Sequence, residues 1–208
     1  MNQEKFIFKT SEIIQGDFKL DRLNLMLVFQ INCPGCFLYA LPAANQLFKQ
    51  YQGKGVKILA LSTAFEDFSD NTLANTKFLL AEGRLVGETK KILGRAGYET
   101  LPFKISFDVA FDELKEYKMG DMETTLDQFC GNIAEFKEKN QVEKKLMRGQ
   151  VREYLTSKTM SAFTFDSNQL MGTPSWILFD QDSNVLFKFF GHKKAEELAA
   201  VLEECLKK

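Results

Sequence analysis

The 208-residue chain has four cysteines and a single histidine. A structural zinc centre normally takes four Cys or His ligands, supplied as close pairs. Here only Cys33 and Cys36 are close, while Cys130, Cys205 and His192 are scattered. Neither sign of charge dominates: 27 Lys and Arg meet 28 Asp and Glu, so there is no net field to attract nucleic acid or anionic lipid. No run approaches the roughly 18 apolar residues of a membrane span. The opening MNQEKFIFKT has neither the charged start nor the apolar stretch and small-residue cleavage site of a secretory signal. The expected setting is therefore cytoplasmic, where permanent disulfides are rare. Partners are expected to include neither nucleic acid nor membrane, and the oligomeric state is left open. Internal repeats, low-complexity tracts and linkers are also lacking. The chain does have 20 phenylalanines, most of which must be core, and a length that supports a substantial core without a covalent staple.

LNLMLVFQ (23–30) is a continuous apolar run of strand length, as expected of a central strand covered on both faces. After Cys36, residues Phe37, Leu41, Ala44, Leu47, Phe48 and Tyr51 follow helical spacing, and Gly53 and Gly55 mark the stop. Pro42 falls inside that helix and should kink it. VKILALS (56–62) completes a β-α-β unit with parallel strands. IIQGDFKL (13–20) reads as a hairpin or turn leading into the domain. A helix over about 71–82 leads into a glycine-punctuated stretch (Gly83, Gly87, Gly94, Gly97), then a short strand near 105–111. SWILFD and VLFKFF flank a polar QDSN turn, and the last segment, 192–208, is helical. Residues 112–160 are highly charged, with Leu126, Phe129, Ile133 and Phe136 on one helical stripe and Val142, Leu146, Val151 and Tyr154 on another. This reads as a helical insertion within one domain spanning 1–208.

The chemistry centres on NCPGC. A C-x-x-C directly after a buried strand, opening a helix inside a β-α-β unit, is the arrangement of a thioredoxin-like redox site. The helix N-terminus offers unpaired N–H groups and partial positive charge, which favour a thiolate on the first cysteine and bring it below the usual value of about 8.5. Cys33 is the expected nucleophile, and Cys36, one turn into the helix, the expected resolving thiol. Pro34 fits the first helical turn without sacrificing a donor, and Gly35 leaves room for a substrate backbone.

GDFKLDRLNLMLVFQINCPGCFLYALP, followed far downstream by GTPSWILFDQDSNVLFKFFG, resembles the thioredoxin-like proteins of the TlpA and alkyl-hydroperoxide-reductase-related superfamily. The resemblance spans the chain apart from the charged segment. It implies an α/β thioredoxin-like fold, a central mixed sheet flanked by helices, with the insertion before the strand that follows GTP. It also implies a cis bond at Pro174, with Thr173 and Pro174 forming the second wall of the site and contacting substrate together with Pro34 and Gly35. Three positions depart from the family pattern: Leu27 stands where a buried acid is frequent, Asn32 where Trp commonly precedes the first cysteine, and Pro42 lies six rather than five residues after Cys36.

The expected activity is thiol-disulfide exchange on protein or small-molecule disulfides. Electrons would come from a dithiol protein or glutathione, with no metal or organic cofactor. The loop after the 56–62 strand shares the dithiol's end of a parallel pair, so Phe65 and Phe68 are candidates to line a substrate groove, with core packing the competing reading. Glu66 and Asp67 are either proton acceptors or solvated loop acids. Cys130 and Cys205 fall on apolar stripes as core thiols, and His192 reads as a solvated or capping residue. A thiol peroxidase is the alternative enzyme, but P-x-x-x-T/S-x-x-C puts Met26 and Gln30, or Phe29 and Cys33, at its key positions, and neither register fits. A redox-regulated binding module, docking clients through Phe-rich loops and the insertion, is the third reading.

Overall fold

All seven residues of the first long apolar strand, β2 (Leu23–Phe29), are buried, which places it in the middle of a sheet. In the computed structural model, which describes residues 4–118, 120–131, 133 and 136–207, it runs parallel to β3 (Val56–Ser62) and antiparallel to β7 (Ser175–Asp180). β4 (Asp108–Asp112) adds parallel to β3, β1 (Thr10–Gln15) antiparallel to β4, and β8 (Val185–Phe190) antiparallel to β7. The result is a six-stranded mixed sheet in the order β1-β4-β3-β2-β7-β8.

Strand alternation divides the apolar side chains between two faces. Leu23, Leu25, Leu27 and Phe29 join Trp176 and Leu178 in one cluster with Leu41, Ala44, Leu47 and Tyr51 of α1 (Leu41–Tyr51) and Leu198 and Leu202 of α7 (Ala195–Leu206). The alternate residues Met26, Val28, Ile177 and Phe179 are equally buried, with the Phe6 ring 4.9 Å from that of Phe179. Much of the phenylalanine content is thus core. Tyr51 closes the first cluster by donating its hydroxyl to Glu203 at 2.9 Å.

The helix after the dithiol departs from the simple kink expected at Pro42. Residues Cys36–Ala40 form one π-helical turn, in which the Leu41 N–H bonds the Cys36 carbonyl, and α1 continues with Pro42 in its first turn. A π turn accommodates one additional residue. The one extra residue in the Cys36-to-Pro42 spacing is absorbed there, and the proline sits in the first turn of α1.

Two more elements differ from expectation. α2 (Leu73–Glu82) is capped by the Thr72 hydroxyl and ends at Gly83 in the left-handed conformation, but the glycine-punctuated stretch after it holds a further helix, α3 (Gly87–Arg95). Of the two readings for 13–20 the turn holds and the hairpin does not: Gly16 (φ +79°) carries the chain off β1, and the Asp108 carboxylate accepts the N–H groups of Asp17 (3.1 Å) and Phe18 (2.7 Å) while pairing with Lys57 at 2.9 Å. A Cβ at Gly16 would overlap that carboxyl. Gly16→Ala is therefore expected to cost about 2 kcal/mol or more, combining positive-φ strain with the lost carboxylate contacts. Its check is a lower urea midpoint with an unchanged m-value.

The chain forms two compact units, residues 1–113 with 162–208, and Leu114–Ser161. The second unit thus begins at Leu114 rather than 112; Asp112 closes β4 in the first, its buried carboxylate accepting the Thr63 hydroxyl (2.8 Å) and the Thr164 N–H (2.9 Å), the latter in α6 (Phe163–Ser167). The inserted unit is not purely helical, since β5 (Leu114–Glu116) and β6 (Met160–Ala162) pair as a small sheet. α4 (Met122–Gly131) buries Leu126 and Cys130, and its end at Gly131 leaves Ile133 and Phe136 off the expected stripe. α5 (Gln141–Ser157), opened by an Asn140–Glu143 capping box, buries Leu155; on the second stripe Val142 and Leu146 are 71% and 65% exposed, while Val151 and Tyr154 are half-buried, with the Tyr154 ring 5.9 Å from that of Phe129.

Candidate active site

The end of β2 delivers the dithiol. Beyond Phe29 the chain turns through Gln30, Ile31 and Asn32; the Cys33 N–H bonds the Gln30 carbonyl at 3.2 Å, and the Cys36 N–H bonds the Cys33 carbonyl at 2.9 Å. Pro34 and Gly35 open the helical turn between them. Cys33 is partly exposed and Cys36 fully buried, both as free thiols. Their sulfurs lie 2.9 Å apart, with the Cys36 S–H donating to Cys33.

This asymmetry sets the ionisation of the pair. The hydrogen bond from Cys36 is the largest influence on Cys33; with Thr173 and the backbone N–H groups of Cys36 and Gly35 it outweighs burial and lowers the thiol to about 6. Cys36 moves the other way: burial, then the hydrogen bond and charge at Cys33, hold it well above the usual range for a thiol. Near neutral pH the accessible sulfur is a thiolate, and its buried neighbour keeps its proton.

The second wall lies ahead of β7. The Thr173–Pro174 bond is cis, and the Thr173 carbonyl oxygen is 3.5 Å from the Cys33 sulfur. The Thr173 hydroxyl donates to the Gln30 amide oxygen at 3.1 Å, tying this wall to the root of the dithiol turn. The Pro174 carbonyl accepts the Gly191 N–H at 2.8 Å, and the Phe190 ring packs where a Cβ of Gly172 would sit.

Of the residues singled out in the sequence, Cys33, Pro34, Gly35, Cys36, Thr173 and Pro174 meet at this place. Phe65 stacks on Phe165, with ring centroids 4.0 Å apart, and Phe68 is half-buried in the same loop. The space beside Gly35 is filled: a Cβ there would lie 2.6 Å from Cε1 of His192. Three polar residues carry more of the site than the sequence indicated. Gln30 was visible as a lone amide closing an apolar run, and is buried with its Nε2 donating to the Glu66 carbonyl at 3.3 Å. Asn32 receives the Glu88 N–H at 2.6 Å, donates to Asp67 at 2.8 Å, and has its own N–H on Asn71 at 2.9 Å, so the loop before Cys33 is fastened to the start of α3. His192 is the third. Among the described residues, no cluster of three or more His, Cys, Asp or Glu is placed to hold a metal ion.

No protein-family model matches the chain, and no curated protein matches it in sequence. Solved structures do. A thiol-disulfide isomerase from Corynebacterium glutamicum aligns with a TM-score of 0.60 at 19% identity, over 100% of this chain and 98% of its own. The fold is thioredoxin-like. A thioredoxin-like superfamily protein aligns with a TM-score of 0.57 at 18% identity, over 98% and 97% of the two chains, and a hypothetical protein from Sinorhizobium meliloti at 0.52 and 13%, over 99% and 84%. Within this thioredoxin-like frame, the position where the family resemblance implies a buried acid is occupied by Leu27, which pairs across the sheet with Trp176, both fully buried.

Proposed function

We propose that this protein is a thiol-disulfide oxidoreductase in which Cys33 attacks and Cys36 resolves. The observation that supports it is the unequal pair of thiols 2.9 Å apart: one accessible and ionised near neutral pH, the other buried and protonated. The Cys33 thiolate attacks one sulfur of a substrate disulfide, forming a Cys33–substrate bond and expelling the other substrate sulfur as thiolate. Cys36, on losing its proton, attacks the Cys33 sulfur, closing the Cys33–Cys36 disulfide and releasing the second substrate thiolate. The substrate gains two electrons and the protein loses two, so a dithiol protein or glutathione must reduce it again. In a cytoplasmic setting that donor pool drives the cycle in the reductive direction.

Pro34, Thr173 and Pro174 form the surface a protein or small-molecule disulfide would meet; Gly35, whose open side is taken by His192, supports the turn instead. The test is reduction of insulin with dithiothreitol as donor. The wild-type protein is expected to accelerate precipitation of the insulin B chain and Cys33→Ser to leave the background rate; Cys33→Ser at the wild-type rate would refute the mechanism.

A further inference from the structure

We infer that His192 is a positioning residue for the dithiol: its imidazole packs against Gly35 and Tyr39, on a backbone anchored at Gly191 to the cis-proline wall, and holds Gly35, and with it Cys33, in place. The inference rests on the redox reading of Cys33 and Cys36.

Gly35 is the starting point. Its backbone, at φ −62° and ψ −32°, is ordinary right-handed helix that any residue adopts, so the conformation does not call for glycine. What excludes a side chain is the imidazole of His192, whose Cε1, Nε2 and Nδ1 atoms would lie 2.6, 3.2 and 3.8 Å from a Cβ at this position.

The ring is held from two directions. Its backbone is anchored one residue earlier, where the Gly191 N–H donates to the Pro174 carbonyl at 2.8 Å and the chain turns at φ +102°. Its free face meets Tyr39, at 4.5 Å between ring centroids. Tyr39 belongs to the π-helical turn and is 55% exposed. Core burial therefore does not explain the pair; contact with the dithiol turn does. Cys33 sits between the two walls: the Gly35 and Cys36 N–H groups hold its charge on one side, and the Thr173 carbonyl oxygen lies 3.5 Å from its sulfur on the other. His192 presses on the dithiol turn from outside while its backbone is tied through Gly191 to Pro174, so it fixes where the Gly35 and Cys36 N–H groups stand relative to the Cys33 sulfur.

The test is the pH profile of Cys33 alkylation by iodoacetamide, assigned by peptide mass spectrometry, in the full-length reduced chain. Gly35→Ala and His192→Ala are each expected to move the profile up by about one unit, roughly fivefold slower labelling at pH 6. His192→Phe, which keeps a ring against Gly35 and Tyr39, is expected to stay within about twofold of wild type. Because a methyl at Gly35 displaces the same ring that His192→Ala removes, the double variant is expected to be no slower than the slower single one. Far-UV circular dichroism accompanies each variant, and those that keep the wild-type spectrum are compared. Wild-type labelling in His192→Ala, a His192→Phe as slow as His192→Ala, or effects that multiply in the double variant would each overturn the inference. Labelling is read without turnover, so a wild-type protein that shows this pattern but fails to reduce insulin would fault the redox reading and leave the positioning role standing.

Discussion

A Cys36→Ser variant is expected to accumulate a covalent mixed disulfide with its substrate, whereas Cys33→Ser forms none. The reason lies in which sulfur is ionised and which is accessible. Cys33 is partly exposed and held at about 6, so it attacks at neutral pH. Cys36 is fully buried and protonated, so it reaches only the sulfur beside it. Removing Cys33 removes the only sulfur of the pair that meets substrate, and turnover should fall by at least about a thousandfold. Removing Cys36 stops the second step and leaves the first intact. The serine hydroxyl still offers a donor to the Cys33 sulfur, which preserves much of the largest influence on its ionisation. Cys36→Ala offers none and should raise the Cys33 value towards that of an ordinary thiol. Non-reducing electrophoresis with a disulfide-containing protein substrate reads the trap, and equal adduct yields from the two serine variants would refute the division of labour.

The second large effect is a pH dependence that differs between the two steps. Cys33 is almost fully ionised above about pH 7, so mixed-disulfide formation should be nearly flat from there upward. Resolution requires the Cys36 thiolate. The first cause of the elevated Cys36 value is burial, which persists after Cys33 has been converted to a mixed disulfide. Leu27 offers no carboxylate to take the proton at the position where the family resemblance implies one. Below the Cys36 value, the thiolate fraction falls about tenfold for each unit of acidification, and the resolution rate should follow it. Rapid-quench release of glutathione from protein glutathionylated at Cys33 should therefore speed up about tenfold between pH 7 and 8, while the attack step changes little. A release rate flat across that interval would mean that some group relieves Cys36 of its proton.

The parts of the fold that were legible in the sequence are those whose burial is two-sided or strictly periodic. Continuous apolar runs gave β2 and β3, and the paired runs around a polar turn gave β7 and β8. α3 was hidden because Gly87 and Gly94 look like breaks. Gly87 instead opens the helix at φ +49°, where Asn32 and Asp70 crowd its Cβ side, and Gly94 lies in open space in the last turn. The α5 stripe was legible as a helix, but periodicity reports a face and not what covers it: Val142 and Leu146 on that face are exposed.

The site divides along similar lines. Cys33 and Cys36 were readable because a strand, a dithiol and a helix start are adjacent in sequence, and the GTP before β7 supplied Thr173 and Pro174 through the family resemblance. Gln30, Asn32 and His192 act across long sequence separations, through bonds to Thr173, Asp67 and Glu88 and a contact with Gly35. No local pattern announces such partners. His192 follows the last strand of the sheet, and only the pairing of β8 beside β7 and β2 carries it to the dithiol.

The central claim, that Cys33 is ionised at neutral pH because Cys36 and its neighbours hold the charge, is tested most directly by titrating thiolate absorbance at 240 nm in the reduced protein, with Cys33→Ser as the blank. The difference should show a single thiol titrating near pH 6. A Cys33 that titrates at about 8.5 or above, as a free cysteine does, would contradict the account.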